Sequence, residues 1–371
     1  MSDSIRHLFL TLVQVGLWEK EVQLSAFEEG DLAEVYKLAS EQSVVGLVAA
    51  GLEHVSDRRF DKSELLPFMS DVLRLEARNE AMNSFVEELF SILNGAGVYT
   101  VLVKGQGIAR CYERSLWRAS GDVDLLFDEL GYSKAKTALI PIIDKEEGEN
   151  DPTLHFGATI RSWPVELHGT LRAGLWKKLD RVIDAVQADI FDNRKVRIWH
   201  NGSADIPLPA VDNDVFLVFS HILQHFFKEG IGLRQICDWC RLLWTNKETI
   251  DVKLLEARLK EAGVVSEWKA FAAMAVEYLG MPKEAMPLYS DSGKWKRKAA
   301  HVMDFVFETG NFGHNRDYSY RQKYSFVVFK AISLWRHIVD TFKYSLIFPL
   351  DSVKVLVWRI GEGIVEAGRG K

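Results

Sequence analysis

An α+β architecture follows from three features of the 371-residue sequence. Apolar residues recur at three- and four-residue spacing up to about residue 95. Runs rich in β-branched residues cluster between residues 98 and 199, and helical spacing returns after residue 214. The implied organisation is a helical region over 1–95, a mixed α/β core with a small sheet over 96–211, and a helical region with a basic tail over 212–371.

Composition narrows the class. Hydrophobic residues make up 47% and charged residues 26%, so the chain can bury substantial cores and is not a disordered protein. At about 150 residues per domain, its length suits two to three domains. A formal net charge of −6 argues against a nucleic-acid coat protein and against long nucleic acid as a partner. Three cysteines cannot form a disulfide framework and point to a reducing compartment, the cytoplasm. The opening Met1-Ser2-Asp3-Ser4-Ile5-Arg6 lacks the positive start of a signal peptide. The longest apolar run, Val44 to Leu52, is about half of the roughly 20 residues that cross a bilayer, so no transmembrane segment is expected.

The elements follow in order. Leu32, Val35, Leu38 and Ala39, then Leu73, Leu75, Ala81, Phe85, Leu89 and Leu93, give helical stripes that end at Gly95-Ala96-Gly97. Val98 to Val103 predicts a buried strand, followed by a turn at Lys104-Gly105-Gln106-Gly107 and a helix from Ile108 to about Arg114. Val123 to Phe127 predicts a second strand, and Pro164 to His168 a third. The acidic stretch Pro141 to Pro152 reads as a surface loop. Lys195 to Trp199 alternates like a further short strand. His200 to Asp214, with Pro207 and Pro209, reads as a linker.

The strongest chemical signal is Gly121-Asp122-Val123-Asp124-Leu125-Leu126-Phe127. Strand alternation sends Asp122 and Asp124 to one face, about 7 Å apart, with Val123 and Leu125 behind. Mg²⁺, a hard cation that accepts carboxylate and phosphate oxygens, would offset their repulsion. An exposed pair of acids on an edge strand is the plainer account. Glu166 and His168 alternate in the same way. If their strand neighbours the first, Glu166 becomes a third carboxylate, the donor set of a two-metal phosphoryl-transfer site. Lys104 and Gly105 at a strand-to-helix turn suit a phosphate, though any turn can contain them.

Helical spacing over 215–228 gathers Val215, Phe219, Ile222, Leu223 and Phe226 on one side. Ser220, His221, Gln224, His225 and Lys228 fall on the other, either as a solvated face or as the wall of a cleft. Arg234 and Asp238 are four apart and read as a helical ion pair that could also line the cleft. Cys237 and Cys240 lie inside an apolar helical pattern, so buried thiols are favoured over a zinc site with His221 and His225. Cys111 reads as packing. No Walker-type loop, nucleophile elbow or dinucleotide fingerprint is present.

These motifs resemble the uncharacterised bacterial nucleotidyltransferase family of the DNA-polymerase-β-like nucleotidyltransferase superfamily. The resemblance rests on Val101-Leu102-Val103-Lys104-Gly105, Arg118-Ala119-Ser120-Gly121-Asp122-Val123-Asp124-Leu125-Leu126 and Val165-Glu166-Leu167-His168. It extends to His221–His225 and Leu233–Asp238, within residues 20 to 250. It implies a nucleotidyltransferase core in which Asp122, Asp124 and Glu166 bind Mg²⁺ (or Mn²⁺), and Lys104 and Arg118 contact phosphates. An NTP and an unidentified acceptor are the implied substrates. The sequence departs from the wider superfamily at Lys104-Gly105-Gln106-Gly107, where Gly-Ser is usual, and fifteen residues separate Gln106 from Asp122. That departure supports a second reading, a non-catalytic or regulatory binding protein on the same scaffold. The tail from Gly293 to Lys371 carries 14 Lys/Arg against 7 Asp/Glu, leaving a net of −13 for the rest. It reads as a solvated basic face or a surface for an anionic partner, and Phe342 to Arg359 as a membrane-surface stretch.

Overall fold

The computed structural model describes residues 2–25, 32–150 and 154–311, with scattered positions between 328 and 354. Four helices come first: α1 Asp3–Trp18, α2 Leu32–Glu41, α3 Val45–Glu53 and α4 Lys62–Gly95. A capping box opens α4, with Asp61 accepting from the Glu64 backbone and Glu64 reaching back to the Asp61 N–H. Its C-terminal half buries Met82, Phe85, Val86, Leu89, Phe90 and Leu93, while Leu73 stands exposed on the N-terminal half. α1 and α3 touch backbone to backbone. A Cβ on Gly16 would sit 1.9 Å from the Leu47 carbonyl oxygen, and one on Gly51 2.2 Å from that of Leu12.

The central sheet contains β1 Val101–Val103, β2 Val123–Leu126, β3 Ile143–Asn150, β4 His155–Ile160 and β5 Trp163–His168, in the spatial order β1-β2-β5-β4-β3. β2 and β5 run parallel and the other pairings are antiparallel. Between them lie α5 Gly105–Ala109 and α6 Glu129–Leu139. The sequence assigns a strand to Val98–Val103, but only its last three residues pair with β2. The expected helix from Ile108 to Arg114 is the short α5, followed by a 3₁₀ turn at Ser115–Trp117. The acidic stretch expected as a loop forms a 3₁₀ turn at Ile140–Ile142 and then the edge strand β3, whose Asp144, Glu146 and Glu147 are exposed.

α7 Lys177–Asp192 is followed by a ribbon of β6 Val196–Asn201 and β7 Ala204–Pro209. The expected linker thus holds β7 and the start of α8 Val211–Lys228, because Pro207 and Pro209 sit on a two-stranded ribbon where missing ladder donors are tolerated. Then come α9 Leu233–Thr245, α10 Val252–Ala262, α11 Val265–Leu279 and α12 Gly293–Thr309.

Two apolar clusters organise the molecule. One lies under the sheet, where Val123, Leu125, Val165 and Leu167 meet α4, α6 and the ribbon. The other runs from Leu8 to Phe348 and joins α1–α3 with α7–α12, so helices from both ends of the chain share a core. Among the described residues, no helix is long and apolar enough to cross a membrane.

The basic run Lys294–Lys298 opens α12. Lys296 pairs with Asp291 at 2.6 Å, and Lys294 and Lys298 lie over the Trp295 ring at 4.7 and 5.4 Å. Most of the tail beyond residue 311, including half of Phe342 to Arg359, lies outside the described residues.

Candidate functional site

Alternation on β2 buries Val123 and Leu125 in the core beneath the sheet and turns Asp122 and Asp124 to the opposite face. Parallel pairing then sets Asp124 beside Glu166 in register. One carboxylate oxygen from each of Asp122, Asp124 and Glu166 lies within 4.8 Å of the others. Three hard oxygen donors at that spacing fit a divalent cation.

The charges are not equivalent. Asp124, 3% exposed, is opposed by burial, yet Lys104 Nζ at 2.8 Å and His168 Nε2 at 2.8 Å hold its carboxyl below the ordinary value. Glu166 is held well below the usual carboxylate range by His155 and His168, whose Nε2 atoms lie 3.3 and 3.4 Å from its Oε2. Asp122 is pushed up, first by the charge of Asp124 and then by burial. Burial pulls Lys104 and His168 down, but their acidic partners outweigh it and both end up raised. His168 therefore sits among the carboxylates, buried, as a direct partner of Asp124.

Lys104 has φ 58° and ψ −141°, a conformation that favours glycine and costs on the order of 1–3 kcal/mol for other residues. Gly105 follows with φ 36°. This twist turns the chain from β1 into α5, beside the carboxylates. α5 has five residues.

The carboxylates open onto a cavity of about 360 Å³. Lys104, Gly105, Asp122, Asp124 and Glu166 form one wall, and His221 and His225 from α8, with Glu229 just after it, the other. Arg118, Arg234 and Asp238 close one end. Of the polar side of α8, His221 and His225 line the cavity and Ser220, Gln224 and Lys228 do not. His221 Nε2 and His225 Nε2 are 3.1 Å apart, and His225 Nδ1 lies 3.1 Å from Glu229 Oε2. Burial, and then the nearby Lys104 charge, push His221 well below its ordinary value, so it is neutral at pH 7.

Arg118 and Asp238 form a buried bidentate pair, with Nε–Oδ1 at 2.8 Å and Nη2–Oδ2 at 2.7 Å. Tyr112 also donates to Asp238, at 2.8 Å. Helical spacing suggests Arg234 as the partner of Asp238; the pair that forms instead ties α9 to the loop before β2. Arg234 Nη1 donates to the Ala119 carbonyl of that loop at 2.8 Å. Arg118 Nη1 donates to Ser120 Oγ, which donates to Gln106 Oε1, and Gln106 Nε2 donates to Asn83 Oδ1. This chain fastens the Asp122 loop to α4. Cys111, Cys237 and Cys240 are buried free thiols, and burial pushes Cys237 and Cys240 up.

Ten of these cavity-lining residues stand among the candidates from sequence, whereas His155, Glu229 and the Tyr112, Gln106 and Asn83 supports do not. His155 had a signal, since Phe156, Ala158 and Ile160 alternate as strand residues do. The supports are polar residues on helices and turns, with no local pattern to mark them.

Residues 28–280 match the family model described as uncharacterised nucleotidyltransferase, and the chain belongs to that family. No curated protein and no solved structure matches it.

Proposed function

We propose that the protein is a nucleotidyltransferase of the DNA-polymerase-β-like superfamily, moving a nucleoside monophosphate from an NTP to an acceptor with release of pyrophosphate. The observation that carries this reading is the convergence of Asp122, Asp124 and Glu166 within 4.8 Å at the wall of a cavity. Those three residues would hold Mg²⁺ (or Mn²⁺), which when bound would counter phosphate charge and acidify an acceptor hydroxyl. Lys104 and Arg234 supply positive charge on the cavity wall for the phosphates. Arg118, engaged on both forks by Asp238, acts as a positioning residue for the Asp122 loop. His221 faces the acids from across the cavity as a neutral base for the acceptor proton, and His225 and Glu229 lead from it to solvent. The buried free thiols support a cytoplasmic setting. We also take the 1–95, 96–211 and 212–371 division, and a bacterial origin, as part of this reading.

The test is transfer of label from α-³²P NTPs to small-molecule, protein and RNA acceptors. Asp122→Asn, Asp124→Asn and Glu166→Gln should each lower transfer by ~10²–10³-fold. Mg²⁺-dependent NTP binding without transfer to any acceptor would favour the non-catalytic binding protein. The absence of both would remove the nucleotidyltransferase reading.

A further inference from the structure

We propose that His155, Glu166 and His168 form a second cation site, selective for a borderline transition metal such as Zn²⁺ or Co²⁺ and sharing Glu166 with the aspartate centre. His155 and His168 face each other in register across β4 and β5, and Glu166 lies two residues before His168 on the same face. One ligand atom from each falls within 4.8 Å of the other two. His155 Nε2 and His168 Nε2 lie 3.3 and 3.4 Å from Glu166 Oε2. Charge-assisted hydrogen bonds are shorter, about 2.7–2.9 Å. Ligand bonds of about 2.0–2.2 Å in a tetrahedron instead leave their donor atoms about 3.3–3.5 Å apart. Two imidazoles and one carboxylate are also the protein donors of catalytic zinc sites that keep a fourth position open.

The surroundings leave room for that fourth ligand. The residue opposite Glu166 on β4 is Gly157, and opposite Gly157 on β3 is Gly148, so neither paired position adds a side chain beside Glu166; Glu147 is the nearest β3 side chain, its Cβ 3.6 Å from where a Cβ on Gly157 would lie. His155 and Glu166 are 38% and 36% exposed in their side chains, which gives an ion a path in. Imidazole nitrogen disfavours Mg²⁺, so the two centres differ in the metal they select. Occupation has a mechanical consequence too. His168 Nε2 donates to Asp124 at 2.8 Å; ligating a cation would cost that nitrogen its proton, lost to solvent, and free Asp124 for the oxygen-ligated centre. The aspartate-centre reading gains from this inference the identity of a neighbouring ion, while the inference itself stands on His155, which that reading does not use.

The experiment is titration of the full chain with Co²⁺, followed by visible absorption. Wild type should develop the bands of a four- or five-coordinate ion, abolished by Zn²⁺ and left intact by excess Mg²⁺. His155→Gln, at a half-exposed position that leaves the fold in place, should weaken Co²⁺ binding by at least about tenfold. Asp122→Asn should retain the bands. Absence of bands in wild type, equal affinity in His155→Gln, or loss in Asp122→Asn or His225→Gln instead would overturn the proposal. Mg²⁺-dependent NTP binding measured on the same preparations reports the aspartate centre separately, so either reading can fail alone.

Discussion

Asp122 carries the least favourable charge at the site, because its neighbour Asp124 already holds Lys104 and His168. Its folded pKa lies above the unfolded value of 3.8, so ionisation at neutral pH weakens the fold. Asp122→Asn is therefore expected to stabilise the protein at pH 7 in EDTA by about 1 kcal/mol, the scale of like-charge repulsion between neighbouring side chains. The sign fixes the pH window. The gain is present above the folded pKa and fades as the pH falls through it toward 3.8, where the wild-type carboxyl is protonated in both states. Urea unfolding at pH 7 and pH 3 checks this, and Mg²⁺ should stabilise wild type but not the variant. Equal stability at pH 7 would mean that Asp122 is not repelled. The buried Arg118–Asp238 pair has the opposite character: both charges are satisfied, and removing either partner would strand the other without solvent.

At the scale of elements, the glycine contacts of α3 connect a helix crossing to the site. A Cβ on Gly51 meets the Leu12 carbonyl oxygen of α1, whereas one on Gly46 would sit 2.0 Å from the Trp117 carbonyl oxygen, one residue before Arg118. Gly51→Ala and Gly46→Ala should each cost about 1–3 kcal/mol by overpacking. Only Gly46→Ala should also weaken Mg²⁺-dependent NTP binding, because it displaces the segment that carries Arg118. Parallel measurement of urea midpoints and nucleotide affinity separates the two. Of the strands that position the site, β1 was legible from its β-branched run, and β2 and β5 from apolar residues alternating with Asp124, Glu166 and His168. β3 was hidden by Lys145, Glu146 and Glu147, since an edge strand facing water needs no apolar alternation. β7 was hidden by its prolines. The carboxylate trio was legible because period-two alternation survives in a single sequence, while the Asp124–Glu166 register depended on a parallel pairing that no local pattern announces. The Arg118–Asp238 pair joins positions 120 residues apart, beyond the reach of helical spacing.

At the scale of the whole molecule, the apolar cluster from Leu8 to Phe348 makes the two helical regions interdependent. Gln42 of the N-terminal part accepts from the Leu233 backbone and donates to the Val306 carbonyl, and Arg241 of α9 donates to the Leu17 carbonyl. A fragment beginning at residue 96 would expose the faces of α8, α9 and α11 that these helices cover. It should be insoluble or lack a cooperative melt, and coexpression with residues 1–95 should restore it. A soluble, cooperatively melting fragment would show that the C-terminal helices hold together alone. Lys104 has a consequence of its own. Because this ammonium is built into the chain and rests on Asp124, the acidic centre brings its own counterion from the ribosome. The acidic loop can thus settle against Lys104 before any divalent ion arrives.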